Sequence, residues 1–195
     1  EQMLSGLVPI LKARKDRFVL VSMAAALTIP DLRERGCGDW PLIRIMPNTP
    51  SAIGEGVIFY TCDGVTAEEE AAFLENMAGA GRLLPLDDHL MDAGSAVAGC
   101  GPAFVDLFIE AMADGGVACG LPRAKAQEYA AQMVLGSAKL VLESGQHPGT
   151  LKDAVCSPGG STIQGVRVLE EHGFRGAVTD AVIAAYDKTK EMGKG

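Results

Sequence analysis

The hydrophobic pattern of this chain changes period once, at Leu86/Asp87, and that change restricts the fold more than any other feature. Up to residue 86, short apolar runs alternate with stretches of helical spacing. Runs at 18–22 and 42–46 lack polar alternation, as expected for strands covered on both faces in a parallel sheet. Further strands are expected at 56–60 and 82–85, and helices at 1–14, around 30–35 and at 66–79. The last begins on a capping box, Thr66 with Glu69, and turns Phe73, Leu74 and Met77 inward. Pro47 and Pro50 end the second strand, because neither can donate a ladder hydrogen bond. Four strands without a glycine-rich GxGxxG turn make a piece of a parallel α/β sheet.

After residue 86 no convincing strand appears. Helices are expected at 87–98 (capped by Asp87 or Asp88), 102–117, from Pro122 to 143, at 148–155, 162–172 and 174–191. Gly101-Pro102 breaks the pattern between the first two, and Gly145 and Gly173 close later ones. The fold class is therefore α/β followed by all-α, with a sheet domain at 1–86 and a helical domain at 87–195. Helix 102–117 is apolar nearly all round, with an inward stripe of Phe104, Leu107, Phe108, Ala111 and Met112, broken by Asp106, Glu110 and Asp114. So small a bundle does not cover such a helix alone, which points to a homodimer.

Composition excludes several function classes. A net charge of −8 is the wrong sign for nucleic acid or an anionic membrane surface. No uninterrupted run of about 18 apolar residues is expected to span a bilayer. His89, His147 and His172 lack metal-ligand spacing, so no metal site is expected. The five cysteines (37, 62, 100, 119 and 156) form no CxxC pair and read as free thiols in a reducing cytoplasm. Position 1 is Glu, and the chain opens directly in a helical pattern (Met3, Leu4, Leu7, Val8, Ile10, Leu11); the expectation is that further sequence precedes it.

The sharpest local feature is Ser157-Pro158-Gly159-Gly160-Ser161-Thr162, running straight into a helix. Two successive glycines let several N–H groups converge, and the helix start adds unpaired donors and partial positive charge. That suits a carboxylate. The same spacing also suits an ordinary turn with Ser161 or Thr162 as N-cap.

This stretch, continuing through Ile163-Gln164-Gly165-Val166-Arg167, resembles the signature of pyrroline-5-carboxylate reductases. So do Gly99-Cys100-Gly101-Pro102-Ala103-Phe104, Ala113-Asp114-Gly115-Gly116-Val117 with Gly120-Leu121-Pro122-Arg123, Gln146-His147-Pro148-Gly149 and Met46-Pro47-Asn48-Thr49-Pro50. Five motifs in order cover nearly the whole chain. The resemblance implies a Rossmann domain for NADPH or NADH, here without its N-terminal part, followed by a helical dimerisation domain that also assembles into larger rings. It implies reduction of 1-pyrroline-5-carboxylate to L-proline. Ser157, Gly159, Gly160, Ser161 and Thr162 would hold the substrate, with the Gly160, Ser161 and Thr162 amides on its carboxylate. The Thr162 hydroxyl would face the ring nitrogen as the catalytic group. Asp88 would line the same pocket, where the family usually has Glu. Ala24, Ala25, Asn48 and Ala154 fall on the cofactor side, Ala154 where a polar residue is common and Ala26 where glycine is usual.

Two other readings remain. One is a catalytically silent dimerisation fragment. The other is a β-hydroxyacid-type dehydrogenase, which needs a helical-domain lysine; only Lys152 lies near the diglycine turn.

Overall fold

The computed structural model describes residues 2–193, with side chains in the first helix from residue 6 onward. By packing, the chain divides into two compact units: Glu1–Pro102 with Val182–Gly195, and Ala103–Ala181.

In the first unit, α1 (Gln2–Lys12) precedes β1 (Leu20–Ser22), α2 (Ile29–Leu32), β2 (Leu42–Met46), β3 (Gly56–Asp63), α3 (Ala67–Met77) and β4 (Gly81–Pro85). Of the apolar positions that set the helical pattern of α1, Val8 is buried and Ile10 is exposed, while the side chains of Met3 and Leu4 lie outside the described residues. The strands form one sheet in the order β1-β2-β3-β4.

The sheet is mixed rather than purely parallel. β1 pairs parallel to β2 and β3 parallel to β4, but β2 and β3 run antiparallel. The cause is connection length. A parallel crossover takes a dozen or more residues, and between Met46 and Gly56 there is room only for a 3₁₀ turn, Thr49–Ile53. β3 and β4 start at a close approach: a Cβ on Gly81, whose φ is +135°, would sit 2.2 Å from the Gly56 carbonyl oxygen.

β2 is central and buried along its whole length. Its alternating side chains supply two layers. Ile43 and Ile45 join Ile58, Tyr60 and Phe73 beneath α3, with Leu74 and Met77 packed alongside. Leu42 joins Leu32 and Cys37 on the α2 side. The capping box at α3 is present as the sequence suggests, and Arg17 grips Glu69 with both Nε (2.7 Å) and a terminal nitrogen (2.9 Å).

The segment expected as one helix over 87–98 is composite. A 3₁₀ turn, Asp88–Leu90, leads to α4 (Met91–Gly94) and a π-turn, Ser95–Gly99, before α5 (Gly101–Ala118). Asp87 occupies the N-cap position without a side-chain capping bond. Pro102 lacks the N–H that would reach Ala98 four residues back, and the Ala98 carbonyl accepts from Asn48 Nδ2 at 3.0 Å.

The stretch Asp88–Ala118 is long and apolar enough to cross a membrane by length and composition, although it contains no uninterrupted apolar run of about 18 residues. Its carboxylates leave a long gap between Asp92 and Asp106, so a window with few charges survives. The same test is met by a soluble helix whose apolar sides are covered by other protein.

The second unit comprises most of α5, then α6 (Arg123–Ser144), α7 (Pro148–Ala154), α8 (Ser161–Glu171) and the start of α9 (Phe174–Met192). Its buried apolar side chains, among the described residues, are Ala113, Ala126 and Ala130. The stripe expected to face inward on α5 is instead open: Leu107 is 66% exposed. With Phe104, Phe108, Leu169, Phe174 and Val178 it lines an apolar groove of about 430 Å³.

Candidate active site

The diglycine bend is a tight four-residue turn whose geometry follows from its sequence. Gly160 N–H donates to the Ser157 carbonyl at 3.0 Å. Pro158 fits the first corner, and Gly159, at φ +70°, fits a second corner that L side chains avoid, the pattern of a type II turn. Gly160 then stands extended (φ −72°, ψ 167°) as the N-cap of α8, with no side-chain capping bond. A Cβ there would come within 2.8 Å of Ser157 Oγ and 3.1 Å of its carbonyl oxygen, so the second glycine is required for space rather than for φ.

This arrangement changes the expected donor set. The Gly160 amide, expected on an anion, is spent inside the turn. Ser161, Thr162 and Ile163 open the helix, where backbone N–H groups lack intrahelical acceptors. Together with the positive end of an 11-residue helix they make an anion-binding surface. Ser157, Ser161 and Thr162 are exposed in the single chain, as is Ala154 at the end of α7. α7 is held by His147, whose Nδ1 accepts the Gly149 N–H at 3.0 Å. On the same helix the Lys152 ammonium pairs with Asp153 at 2.5 Å, which pushes its pKa up and keeps it protonated. A lysine so held is no proton acceptor.

In the sheet unit, the loop after β1 carries the other expected positions. Ala25 is exposed, Ala24 half-buried and Ala26 buried. Ala26 adopts φ +60°, left-handed backbone that a residue with a Cβ seldom takes, which explains why glycine suits that place. The loop runs into the capping box of α2, where Thr28 N–H donates to Asp31 at 2.7 Å and Asp31 N–H donates to Thr28 Oγ1 at 3.2 Å. The Thr28 hydroxyl, followed by its amide, lowers the Asp31 pKa.

Asn48 is engaged at both ends of its amide: Nδ2 donates to Ala98 and Oδ1 accepts the Val57 N–H at 2.9 Å. Its role in the fold is to tie the β2–β3 turn to the π-turn, a role its sequence position does not reveal.

The sequence reading missed a charged cluster behind this loop. Arg44, in the middle of β2, is fully buried. Its terminal nitrogens reach Asp88 Oδ1 at 2.8 Å and Asp92 Oδ1 at 3.3 Å, and one also reaches the Asp88 carbonyl at 3.2 Å. Asp88 Oδ2 accepts the Ile29 N–H at 3.0 Å, and Lys190 of α9 lies 3.5 Å from Asp92. The available signal was a lone arginine in an otherwise apolar strand, Leu42-Ile43-Arg44-Ile45-Met46. Buried charges come paired, so that arginine required two-sided company from elsewhere in the chain. Among the described residues, no group of three or more His, Cys, Asp or Glu side chains is placed to hold a metal ion.

Known proteins resemble this chain over most of its length. Residues 88–192 match the family model described as pyrroline-5-carboxylate reductase dimerisation. A pyrroline-5-carboxylate reductase of Pisum sativum is 46% identical over 179 residues, which is 91% of this chain and 65% of that protein. One from Synechocystis is 42% identical over 194 residues, 99% of this chain and 72% of that protein. The crystal structure of Plasmodium falciparum pyrroline carboxylate reductase with NADP bound superposes with a TM-score of 0.90 at 34% identity, covering 98% of this chain and 76% of that one. The chain thus spans about two thirds to three quarters of the length of the proteins it matches. On this matching, the chain belongs to the pyrroline-5-carboxylate reductase family.

Proposed function

We propose that the chain takes part in reducing 1-pyrroline-5-carboxylate to L-proline, with NADPH or NADH as hydride donor. The observation that carries this reading is the uncapped start of α8 behind the Gly159–Gly160 bend. A small carboxylate fits it: the Ser161 and Thr162 amides and the helix dipole hold the anion, and the Ser157 and Ser161 hydroxyls lie on the same bend. So anchored, the substrate ring turns its nitrogen toward the Thr162 hydroxyl. A bound nicotinamide cofactor would supply the hydride that the imine carbon accepts; Thr162, with water, would deliver the proton that the ring nitrogen takes up as the C=N π pair moves onto it. The protein's part is orientation and exclusion of competing geometry, worth on the order of 7–11 kcal/mol for well-placed reactants.

The residues present fit the nicotinamide end of a dinucleotide. Ala24, half-buried, and Ala25, exposed, lie just beyond the C-terminal end of β1, the edge where open α/β sheets receive ligands. In this reading Asn48 and Ala154 belong to the cofactor side, as the family resemblance implies. A relative crystallised with NADP supports NADPH as one donor. Asp88 enters through the loop it holds rather than through substrate, since Arg44 and Ile29 already engage its two oxygens.

The apolar groove between α5, α8 and α9 is proposed as the seat of a second copy in a homodimer, which can build further into a ring; the match to a dimerisation family model supports it. Five free thiols suit a reducing compartment, the cytoplasm.

The test is Thr162→Ala, assayed as NAD(P)H-dependent reduction of pyrroline-5-carboxylate. Loss of one positioned proton donor lowers kcat by roughly a hundredfold or more, with mass and thermal midpoint unchanged. Unchanged turnover rejects the role. A wild-type chain that neither retains dinucleotide nor reduces the imine favours a silent dimerisation module.

A further inference from the structure

We infer that Asp88, held by the buried Arg44, is a positioning residue that fixes the loop between β1 and α2. Four observations converge on it. Asp88 spans a sequence separation of 59 residues to accept the Ile29 N–H, a donor that a helix start leaves without an intrahelical partner. The carboxylate does not choose its own orientation: its other oxygen is fixed by a guanidinium that has no exposed surface and no freedom to swing. That guanidinium is fixed in turn by Asp92, and Asp92 by Lys190, so two cations and two anions alternate along one chain of contacts. The loop itself is strained. Ala26 sits at φ +60°, and such backbone persists only where its surroundings over-determine it.

The geometry divides the work. The capping box holds the α2 side of the loop from within, through Thr28 and Asp31. Asp88 holds it from without, linking it to β2, the most buried strand. The end of α9 closes the third side, since a side chain at Gly193 would meet the Ala26 carbonyl at 2.9 Å. A left-handed alanine is thereby kept in place, and Ala24 and Ala25 are presented in one conformation. A loop organised before a ligand arrives loses less entropy on binding it. That the ligand is the nicotinamide end of the cofactor rests on the function proposed above; that Asp88 orders the loop does not.

The experiment is native-state hydrogen exchange on the whole chain, read at the amides of residues 24–29. Asp88→Asn removes the charge and leaves one acceptor oxygen for two donors; exchange at these amides rises about tenfold, the loss of a hydrogen bond to a charged acceptor. Asp92→Asn touches the same guanidinium but not the loop, and leaves them within about twofold of wild type. If Asp88→Asn does not fold, Ile29→Pro removes the donor at a helix position that tolerates proline and raises exchange equally at residues 24–28, while Ile29→Val, which trims the same packing but keeps the N–H, does not. Unchanged exchange in Asp88→Asn or Ile29→Pro overturns the inference, as does an equal rise in Asp92→Asn, which would mark general loosening. The KM for NAD(P)H is measured on the same variants. A loosened loop with KM raised and kcat preserved supports both readings; a loosened loop with unchanged KM leaves Asp88 as the loop's anchor and sinks the loop's place at the cofactor.

Discussion

The two units of this molecule solve the problem of burial differently. In the sheet unit, Leu42, Ile43, Ile58 and Met91 are wholly buried within one chain. In the helical unit, the buried apolar side chains among the described residues are three alanines, while Leu107, Leu135, Leu140, Leu142 and Val155 each stand more than half exposed. Both sequences are comparably apolar. The difference lies in closure: a sheet with helices against it encloses its own side chains, whereas these helices leave theirs open within the single chain. Small residues permit that arrangement, because Ala113, Ala126 and Ala130 let α5 and α6 approach closely and leave the large side chains on the outer faces.

Matched truncations put the contrast at risk. Ile58→Ala empties a site with no exposed surface and lowers the stability of the sheet unit by about 2–5 kcal/mol. Leu107→Ala removes a side chain that is 66% exposed; it costs the isolated chain within about 0.5 kcal/mol. Its effect falls on association, where the dissociation constant of the dimer rises about tenfold, or ~1.4 kcal/mol. Denaturant unfolding and sedimentation on both variants separate the two quantities. If Leu107→Ala unfolds the single chain as readily as Ile58→Ala does, the helical unit is closed in itself and the comparison collapses.

A smaller effect sharpens the sheet side. The Arg17 guanidinium, followed by the Thr66 amide, holds the Glu69 carboxyl at about 2, against an ordinary 4.5. A depressed folded pKa stabilises above the unfolded value and is lost as pH falls through the folded one. The contribution of this clamp is therefore complete above pH 4.5 and fades toward pH 2. In Glu69→Gln the thermal midpoint falls less steeply across that window than in the wild type. Equal slopes would show that the Arg17–Glu69 pair, exposed as it is, contributes nothing to acid stability.

The sequence reading was accurate where local chemistry decides and failed where distant residues meet. The Thr66–Glu69 capping box, the buried run at 42–46 and the Pro-Gly-Gly turn are written in neighbouring residues, and the structure forms each of them. Strand direction is not local. The antiparallel step from β2 to β3 was readable from the short connection but was masked by the expectation of a uniformly parallel sheet. The Arg44–Asp88–Asp92–Lys190 chain could not be located from spacing, because its members are separated by 44 residues at the first contact and come from a strand, a turn and two helices. The donor set of the bend was half legible: the motif suggests converging amides, but the turn's own hydrogen bond takes up the Gly160 N–H. The stripe on α5 was read with the right residues but expected to face inward, whereas within the single chain it lines an open groove; periodicity reports that a face is apolar and not what lies against it.

The smallest effect tests whether the sheet unit tolerates strain because it is closed. Ala26 and Gly159 have nearly the same backbone, φ +60° and +70°, one with a side chain and one without. At Gly159 an added Cβ meets nothing within 4 Å, so the bend takes glycine for its backbone alone. At Ala26 the methyl is buried, and its packing offsets part of the strain. Ala26→Gly relieves about 1–2 kcal/mol of left-handed strain. Against that stand about 0.8 kcal/mol for the lost buried methyl and about 0.4–1 kcal/mol of added freedom in the unfolded chain. The terms nearly cancel, and the expected change in unfolding free energy is within about 1 kcal/mol, measured by denaturant titration. A gain well above that would mean the methyl packs poorly and the strain is carried for another reason, the presentation of Ala24 and Ala25. A loss well above it would mean that the closed core around Asp88 and Gly193 has made the alanine the better residue.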